Sequence, residues 1–455
     1  MGRSRKHAVV VGASMGGLCA AAALAPHYER VTLLDRDTLP AEPGHRRGVP
    51  QSKHAHGLQP GGMRAIDDLF PGIAEELAAG GACSGDISAD CSWTIGGIRY
   101  ASGVTGIEGI GVSRPFLEHR VRSRVAGLPN VTIRDGVEVN RLIAGDPGVV
   151  TGVELAPTGG GSREQLASDL VLDATGKVTK LPVWLAELGY TVPDEEKVRC
   201  RMAYLTRRWR LDPAAGHRKV VTVVAPAVKP HFAAMIAQED GTHILTVGGL
   251  LDSAPDKTDE AYLAFVRELP DPVIADALVG ASAVTDLQPS HFPASVRRRY
   301  DKMRQFPAGL LAIGDAIAAF NPMYGQGMSV AALEAVELRT MLARGPLDAR
   351  KFFAAAHRIE DVAWKISTGG DLRFDEVEGR RTPDMKVMNR YLDRLGRAAH
   401  SDPVLAAAFL RVAGFVERPE SLFKPNIVSR VVRGGRLRDV ALPEPRRAVD
   451  ETAGV

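Results

Sequence analysis

The chain opens with a short continuous apolar run, His7 to Val11, of the kind that forms a strand buried on both faces of a parallel sheet. A glycine-rich stretch follows, Gly12-Ala13-Ser14-Met15-Gly16-Gly17. Leu18 to Ala25 then reads as a helix of small residues, and Val31 to Leu34 as the next strand. Strand, helix and strand together take about 30 residues, the size of one βαβ unit. Residues 36–62 break the pattern: Gly, Pro, Arg and His dominate and periodicity is lost. An irregular stretch of that length in a compact protein is usually functional or mobile. Met63 to Ala79 return to helical spacing. Val112 to Leu128 read as a further helix, with Pro115 where a first turn tolerates proline. Val131 to Ile133 and Val149 to Leu155 read as strands, followed by a turn at Gly159 to Gly161.

Leu170-Val171-Leu172 is a second strand of the buried type, ending in Asp173-Ala174-Thr175-Gly176. The texture then changes. Val198, Cys200, Met202 and Tyr204 alternate with charged or small residues, and Val220 to Val224, Phe232 to Ile236 and His243 to Val247 are further strand candidates. This pattern predicts a mostly antiparallel sheet, inserted as a second lobe. Leu310 to Ile313 restore the buried-strand pattern, and from Met328 onward the spacing is mostly helical. The expected architecture is α/β plus β. Residues 1–197 form a Rossmann-type nucleotide-binding segment with the irregular stretch 36–62 inside it, and 198–300 form the substrate-binding lobe. Residues 301–345 return to the nucleotide-binding domain, and 346–455 form a helical C-terminal region. No internal repeat or low-complexity tract interrupts it.

Composition adds few constraints. A chain of 455 residues exceeds the size at which single cores stop growing, so more than one packed lobe is expected. Hydrophobic residues at 45% and charged residues at 24% are an ordinary globular balance. A net charge of +3 does not argue for a nucleic-acid or membrane partner. The four cysteines have neither zinc-like spacing nor the density of a disulfide framework, so the reducing cytoplasm is the default compartment. Arg3, Arg5 and Lys6 before an uncharged run to Pro26 superficially resemble a signal peptide. Three glycines and Ser14 interrupt that run, and a strand follows it, which argues against targeting. The basic run Arg297-Arg298-Arg299 is expected on a solvated face.

Two motifs carry chemistry. In Gly12-x-Ser14-x-x-Gly17, the first glycine permits a tight turn and the last a close approach of helix to strand. Between them, backbone approaches a pyrophosphate at the helix N-terminus. Ser14 replaces the usual middle glycine. Asp35 ends the next strand, placed to accept from a ribose diol. The second motif is Leu311-Ala312-Ile313-Gly314-Asp315-Ala316, then Asn321-Pro322-Met323-Tyr324-Gly325-Gln326-Gly327-Met328. Its glycines again let backbone N–H groups approach an electron-rich ligand at a helix start. The pair His54 and His56 lies in the irregular stretch, with no acidic or cysteine partner nearby in sequence. Metal binding is therefore not expected there, and a hydrogen bond to cofactor or substrate stands beside an ordinary loop role.

One Rossmann entry, a later Asp-x-x-Gly and a still later Gly-Asp…Pro…Gly-x-Gly turn together resemble the group A FAD-dependent monooxygenases, the p-hydroxybenzoate hydroxylase-like family. Arg114, opening a helix as Arg-Pro-Phe-Leu, matches the arginine that this family places near the flavin phosphates. Arg47-Gly48-Val49-Pro50-Gln51, the two histidines and Phe320 to Met328 look like an actinobacterial subgroup that includes polyene epoxidases, relatives of squalene epoxidase. Lys177-Val178-Thr179-Lys180 departs from the family's run after the middle motif, which puts in doubt any nicotinamide-binding role carried over to this segment.

The resemblance implies FAD as cofactor, held by Gly12, Ser14, Met15, Gly16, Gly17, Asp35, Arg36, Arg47, Arg114, Val139, Asp173, Gly314, Asp315, Pro322, Gly325, Gly327 and Met328. His54 and His56 would stand near the flavin, without an essential protein base. It implies dioxygen as co-substrate and a flavin hydroperoxide that epoxidises or hydroxylates a lipophilic small molecule in secondary metabolism. Electrons would come from NAD(P)H bound transiently, or from a partner flavin reductase, since no second Gly-x-Gly-x-x-Gly follows a strand. Two alternatives stay open: a FAD-dependent alkene reductase of the geranylgeranyl reductase type, and a non-catalytic FAD-binding protein. Trp-x-Trp-x-Ile-Pro is absent around the four tryptophans, which argues against a flavin halogenase.

Overall fold

The computed structural model describes residues 5–213, 221–224 and 228–434. Arg3, Val220 and the end of the C-terminal region therefore lie outside the described residues. The first strand, His7–Val11, is buried at every position and pairs in parallel on both sides. Its neighbours build a five-stranded sheet in the order Leu310–Ala312, Leu170–Asp173, His7–Val11, Arg30–Leu34, Val131–Arg134. Every pairing in it is parallel. The register aligns Val11 with both Leu34 and Asp173, and Asp173 with Ala312. Three chain-distant strands thus end at one level, and the turns that leave them share one edge. In an open α/β sheet this carboxyl edge is where ligands bind.

The helix Met15–Leu24 buries every residue but Gly16. A run of alanines makes this possible, because small side chains allow close packing on all sides. One flank lies on the sheet and another on the long helix Gly327–Arg344. The helical spacing from Met63 to Ala79 is realised as two helices, Pro60–Leu69 and Ile73–Ala79, separated at Gly72, whose φ is +82°. The expected helix from Val112 runs from Arg114 to Ala126, and its N-cap Ser113 accepts from the Phe116 N–H at 3.2 Å.

The inserted lobe is an eight-stranded sheet, antiparallel at all but one pairing. Its core strands are Met202–Arg210, His243–Gly249, His231–Ala237 and Val221–Val224. The N-terminal segment contributes Ser92–Ile95 and Ile98–Arg99 to the same sheet. One face packs on the helix Asp259–Arg267 through Leu205, Met235, Leu245 and Phe265. The other face, with Met202, Tyr204 and Phe232, packs with Phe320, Val330 and Trp364. Helices Ala349–Asp371, Pro383–Ala399, Pro403–Ala413 and Pro425–Gly434 complete the described chain. Among the described residues no helix is long and apolar enough to cross a membrane.

One expectation is corrected. Arg297, Arg298 and Arg299 are buried, not solvated. The strand Ser295–Arg298 runs antiparallel between Glu195–Val198 and Ala318–Ala319. Arg297 pairs with Glu196 and Asp361, and its guanidinium lies 4.7 Å from the centre of the Trp364 ring. Arg299 pairs with Glu196 and Asp301. Arg298 donates to the carbonyls of Lys177 and Ala316, so it ties the Asp173–Gly176 turn to the Gly314–Ala316 turn.

Candidate functional site

Both glycine motifs leave the carboxyl edge of the parallel sheet. Gly12 has φ +106°, and a Cβ there would meet the Ala174 carbonyl oxygen at 2.6 Å. Only glycine fits that position. A Cβ on Gly17 would press into the Gly12 carbonyl, whose carbon lies 2.9 Å away. Ser14 is the N-cap of the helix but caps nothing. Its hydroxyl donates to Glu118 at 3.1 Å and accepts from Arg114 at 2.6 Å. The first N–H groups of this helix therefore have no side-chain acceptor. The helix Gly327–Arg344 likewise starts without a side-chain cap at Gln326. The two helices pack side by side, with Ala331 Cβ 3.7 Å from where a Cβ on Gly16 would be. Two uncapped helix N-termini beside one slot are suited to an anion such as a pyrophosphate.

At one end of the slot stands a buried charge network. Asp35 accepts from the Ala13 N–H at 2.7 Å and from the Asp37 N–H at 2.9 Å. Arg46 reaches Asp35 at 3.2 Å, and Asp37 and Glu118 at 3.0 Å each. Arg114 also pairs with Glu118, at 3.0 Å. Burial pushes Glu118 up, but the two arginines outweigh it and hold its carboxyl below the usual range. Sequence reasoning missed Arg46 and Glu118. Arg36 and Arg47, one residue to either side of the groups that matter here, are exposed and make no ion pair among the described residues.

The other end holds the second motif. Gly314 has φ +63°, and Asp315 projects from a strand end whose neighbours are all buried. Its carboxylate lies deep in the molecule yet has open area in front of it, as a group on the floor of a cleft does. Burial raises its pKa, opposed by Arg114, Lys177 and Arg298. Asn321 to Tyr324 make a tight turn closed by Gly325 in the left-handed region, with Pro322 exposed and Gly327 and Met328 half-buried. A Cβ on Gly327 would stand 3.4 Å from the Asp315 carboxylate, so backbone and acid share the same opening. Asp371 accepts from Asn321 Nδ2 at 3.0 Å and from the Tyr324 hydroxyl at 3.0 Å, and burial pushes its pKa up to about 7.

The remaining sequence candidates separate. Asp173 is fully buried, and its carboxylate is used inside its own turn, by the Thr175 hydroxyl and N–H and by Thr179. Met15 and Val139 are buried in the core. His56 donates from Nδ1 to the His54 carbonyl at 2.9 Å, which leaves Nε2 as an acceptor. Burial, helped by Arg114, lowers its pKa to about 3, so the ring is neutral. His54 bonds through Nδ1 to the Thr206 hydroxyl at 2.8 Å and meets the Tyr204 ring edge-on. Thr206 and Thr246 are 2.7 Å apart, and Thr246 accepts from the Ala55 N–H at 3.0 Å. Burial lowers the His54 pKa to about 4. Residues 54–59 are thereby fastened to the large sheet on one side. On the other, Gly57 packs directly on Gly325, and Gln59 donates to the Tyr324 carbonyl.

A cradle that only glycine permits, two uncapped helix starts, a ribose-height acid and an open-faced Asp315 fit a flavin dinucleotide laid along the sheet edge. A family model described as an FAD binding domain matches residues 5–350, and the chain belongs to that family. It is a FAD-dependent oxidoreductase of the group A flavoprotein class. Protein Rv3254 of Mycobacterium tuberculosis (strain ATCC 25618 / H37Rv) is 36% identical over 434 residues, covering 90% of each chain. A flavoprotein/dehydrogenase from Cytophaga hutchinsonii matches with TM-score 0.65 and 14% identity over 93% of this chain and 96% of that one. The flavin-dependent halogenase CmlS matches with TM-score 0.62 and 17% identity over 91% and 77%. At these identities the two structures share the fold.

Proposed function

We propose that this enzyme is a monooxygenase that epoxidises or hydroxylates a lipophilic small molecule. One observation carries the reading: the Asn321–Gly327 turn, where the flavin ring would lie, borders a cluster of apolar and aromatic side chains, with the cations Lys177 and Arg297 set against the Phe292 and Trp364 rings at its edge. Tyr204, Phe232, Phe320 and Trp364 form the buried part, and Ala234, Phe292, Met323 and Phe415 remain partly open. Bound FAD would supply the redox chemistry, activating dioxygen once reduced. The uncapped helix starts would hold its pyrophosphate, Asp35 its adenosine ribose, and Asp315 the linker toward the ring. The aromatic cluster would exclude water and orient an apolar substrate.

The polar groups on this face, His54, Thr206 and Thr246, bond to one another, and His54 and His56 are neutral at physiological pH. None is poised as a strong base. That favours epoxidation of an alkene, which removes no proton from carbon, over hydroxylation of a phenol, which gains from deprotonation. Electrons would come from NAD(P)H visiting the open cleft or from a partner flavin reductase. The likeness to polyene epoxidases in residues 47–56 and 320–328 supports the same substrate class. The test is turnover of lipophilic alkenes with NADPH, with and without an added flavin reductase, under isotope-labelled dioxygen. One labelled oxygen per product is expected. A saturated, unlabelled product would make the enzyme an alkene reductase instead.

A further inference from the structure

Beneath the Gly314–Asp315 turn lie two glutamates that no cofactor contact explains. Glu334 sits on the helix Gly327–Arg344 and Glu360 on the neighbouring helix Ala349–Asp371, and both are fully buried. Glu334 Oε2 accepts from the Gly314 N–H at 2.7 Å. Its second oxygen and both oxygens of Glu360 have no donor from the rest of the described protein. The two carboxyl groups are within hydrogen-bonding reach of each other.

Two bare carboxylates do not coexist in such a place unless something neutralises them. The groups around them do not. Arg297 faces Glu360 but is committed to Glu196 and Asp361. His357 Nδ1 is 3.9 Å from Glu360, and burial keeps that imidazole below its usual pKa, hence neutral. Asp301 and Asp315 add negative charge on either side. The remaining neutraliser is a proton. An O–H on Glu360 would satisfy Glu334, and Glu334 would satisfy the Gly314 amide. Burial raises the affinity of both groups for protons, and Glu334 raises that of Glu360 further while the bond from Glu360 lowers that of Glu334, which agrees with a proton carried on Glu360.

We propose that Glu334 and Glu360 share a proton between the two helices, and that this bond positions the Gly314–Asp315 turn for a bound flavin nucleotide. They are positioning residues, since neither reaches the cleft. The inference rests on FAD binding alone, so it stands or falls separately from the oxygenation reading. Glu360→Gln keeps a donor toward Glu334, whereas Glu360→Leu removes it. Glu334→Leu/Glu360→Leu removes both charges and replaces them with apolar volume, which protects the fold but deprives Gly314 of its acceptor.

The measurement is FAD affinity of the full-length, FAD-stripped protein at neutral pH, followed by flavin fluorescence, with a thermal melt of each variant. Glu360→Gln should bind within about threefold of wild type. Glu360→Leu and the double variant should bind about tenfold more weakly or worse, the loss of a charge-assisted bond. Equal affinities for Glu360→Gln and Glu360→Leu would overturn the proposal. So would a double variant that folds normally with unchanged affinity.

Discussion

The close approach at Gly17 sets up a sharp test of how the first helix is held. Gly17→Ala adds one methyl whose carbon would lie 2.9 Å from the Gly12 carbonyl carbon, with the oxygen nearer still. Ordinary carbon–carbon contact is about 3.5–4.0 Å, so helix and turn must part by roughly 0.6–1 Å or more. They have little room: nine of the ten residues of Met15–Leu24 are buried, between the sheet and another helix. Overpacking of this kind costs about 1–3 kcal/mol, and the upper end applies because the obstacle is backbone. Replacing glycine by alanine inside a helix returns up to about 1 kcal/mol. The net expectation is a destabilisation of about 2 kcal/mol, a factor of about 30 in the folded-to-unfolded ratio. Gly16→Ala is the control, since its Cβ would meet nothing nearer than Ala331 Cβ at 3.7 Å. It should match or slightly exceed wild-type stability. Urea unfolding followed by far-ultraviolet circular dichroism on FAD-stripped protein reads the difference without ligand linkage. Equal midpoints for Gly17→Ala and Gly16→Ala would refute the packing argument.

Other expectations concern the cleft and the buried polar groups. Gly327→Val should leave the melting temperature near wild type but weaken FAD binding, because its side chain would enter the opening shared with Asp315; equilibrium dialysis with FAD checks it. Arg46→Met leaves Asp35, Asp37 and Glu118 with one fewer buried cation and should cost about 3–5 kcal/mol, read by urea unfolding. Asp371→Leu strands the buried donors of Asn321 and Tyr324 and should cost about 1–3 kcal/mol, whereas a cost below about 0.5 kcal/mol would show those bonds to be idle. The His54 pKa drops on folding, from 6.5 to about 4. The unfolded chain therefore binds more protons between those values, and stability present above pH 6.5 is lost as pH falls toward 4. His54→Gln should flatten that limb of a stability–pH profile.

The flavin-binding half of the fold was legible because its signals are local. A continuous apolar run means a buried parallel strand, a glycine after it means a turn at positive φ, and the two recur at His7–Gly12 and Leu310–Gly314. Which of these strands pair, and in what register, no such local signal carries. What escaped depends on pairings no local pattern carries. Arg46 meets Glu118, and Glu334 meets Glu360, across 72 and 26 residues of chain. Asp371 ends a helix whose spacing looks like any other. The Arg297–Arg299 run misled for the same reason. Three consecutive arginines look solvated until Glu196, Asp361 and Asp301 arrive from other segments. The irregular stretch 36–62 announced itself by its loss of period, but its attachment through His54 to Thr206 could not be read from either sequence alone.

The strand order of the parallel sheet has a consequence for how the chain leaves the ribosome. Leu170–Asp173 pairs with His7–Val11 on one side, but its other partner, Leu310–Ala312, lies about 140 residues later, roughly 7 to 28 s of synthesis. Until then the nascent sheet ends in an unpaired apolar edge, and the alanine face that will meet Gly327–Arg344 is bare. The cofactor slot is equally incomplete, since Asp315 and the second helix start have not yet emerged. FAD cannot therefore assist the early steps, and the half-made sheet carries that open edge until Leu310 is made. An edge-capping chaperone or a slowed codon run before Leu310 would change its soluble yield.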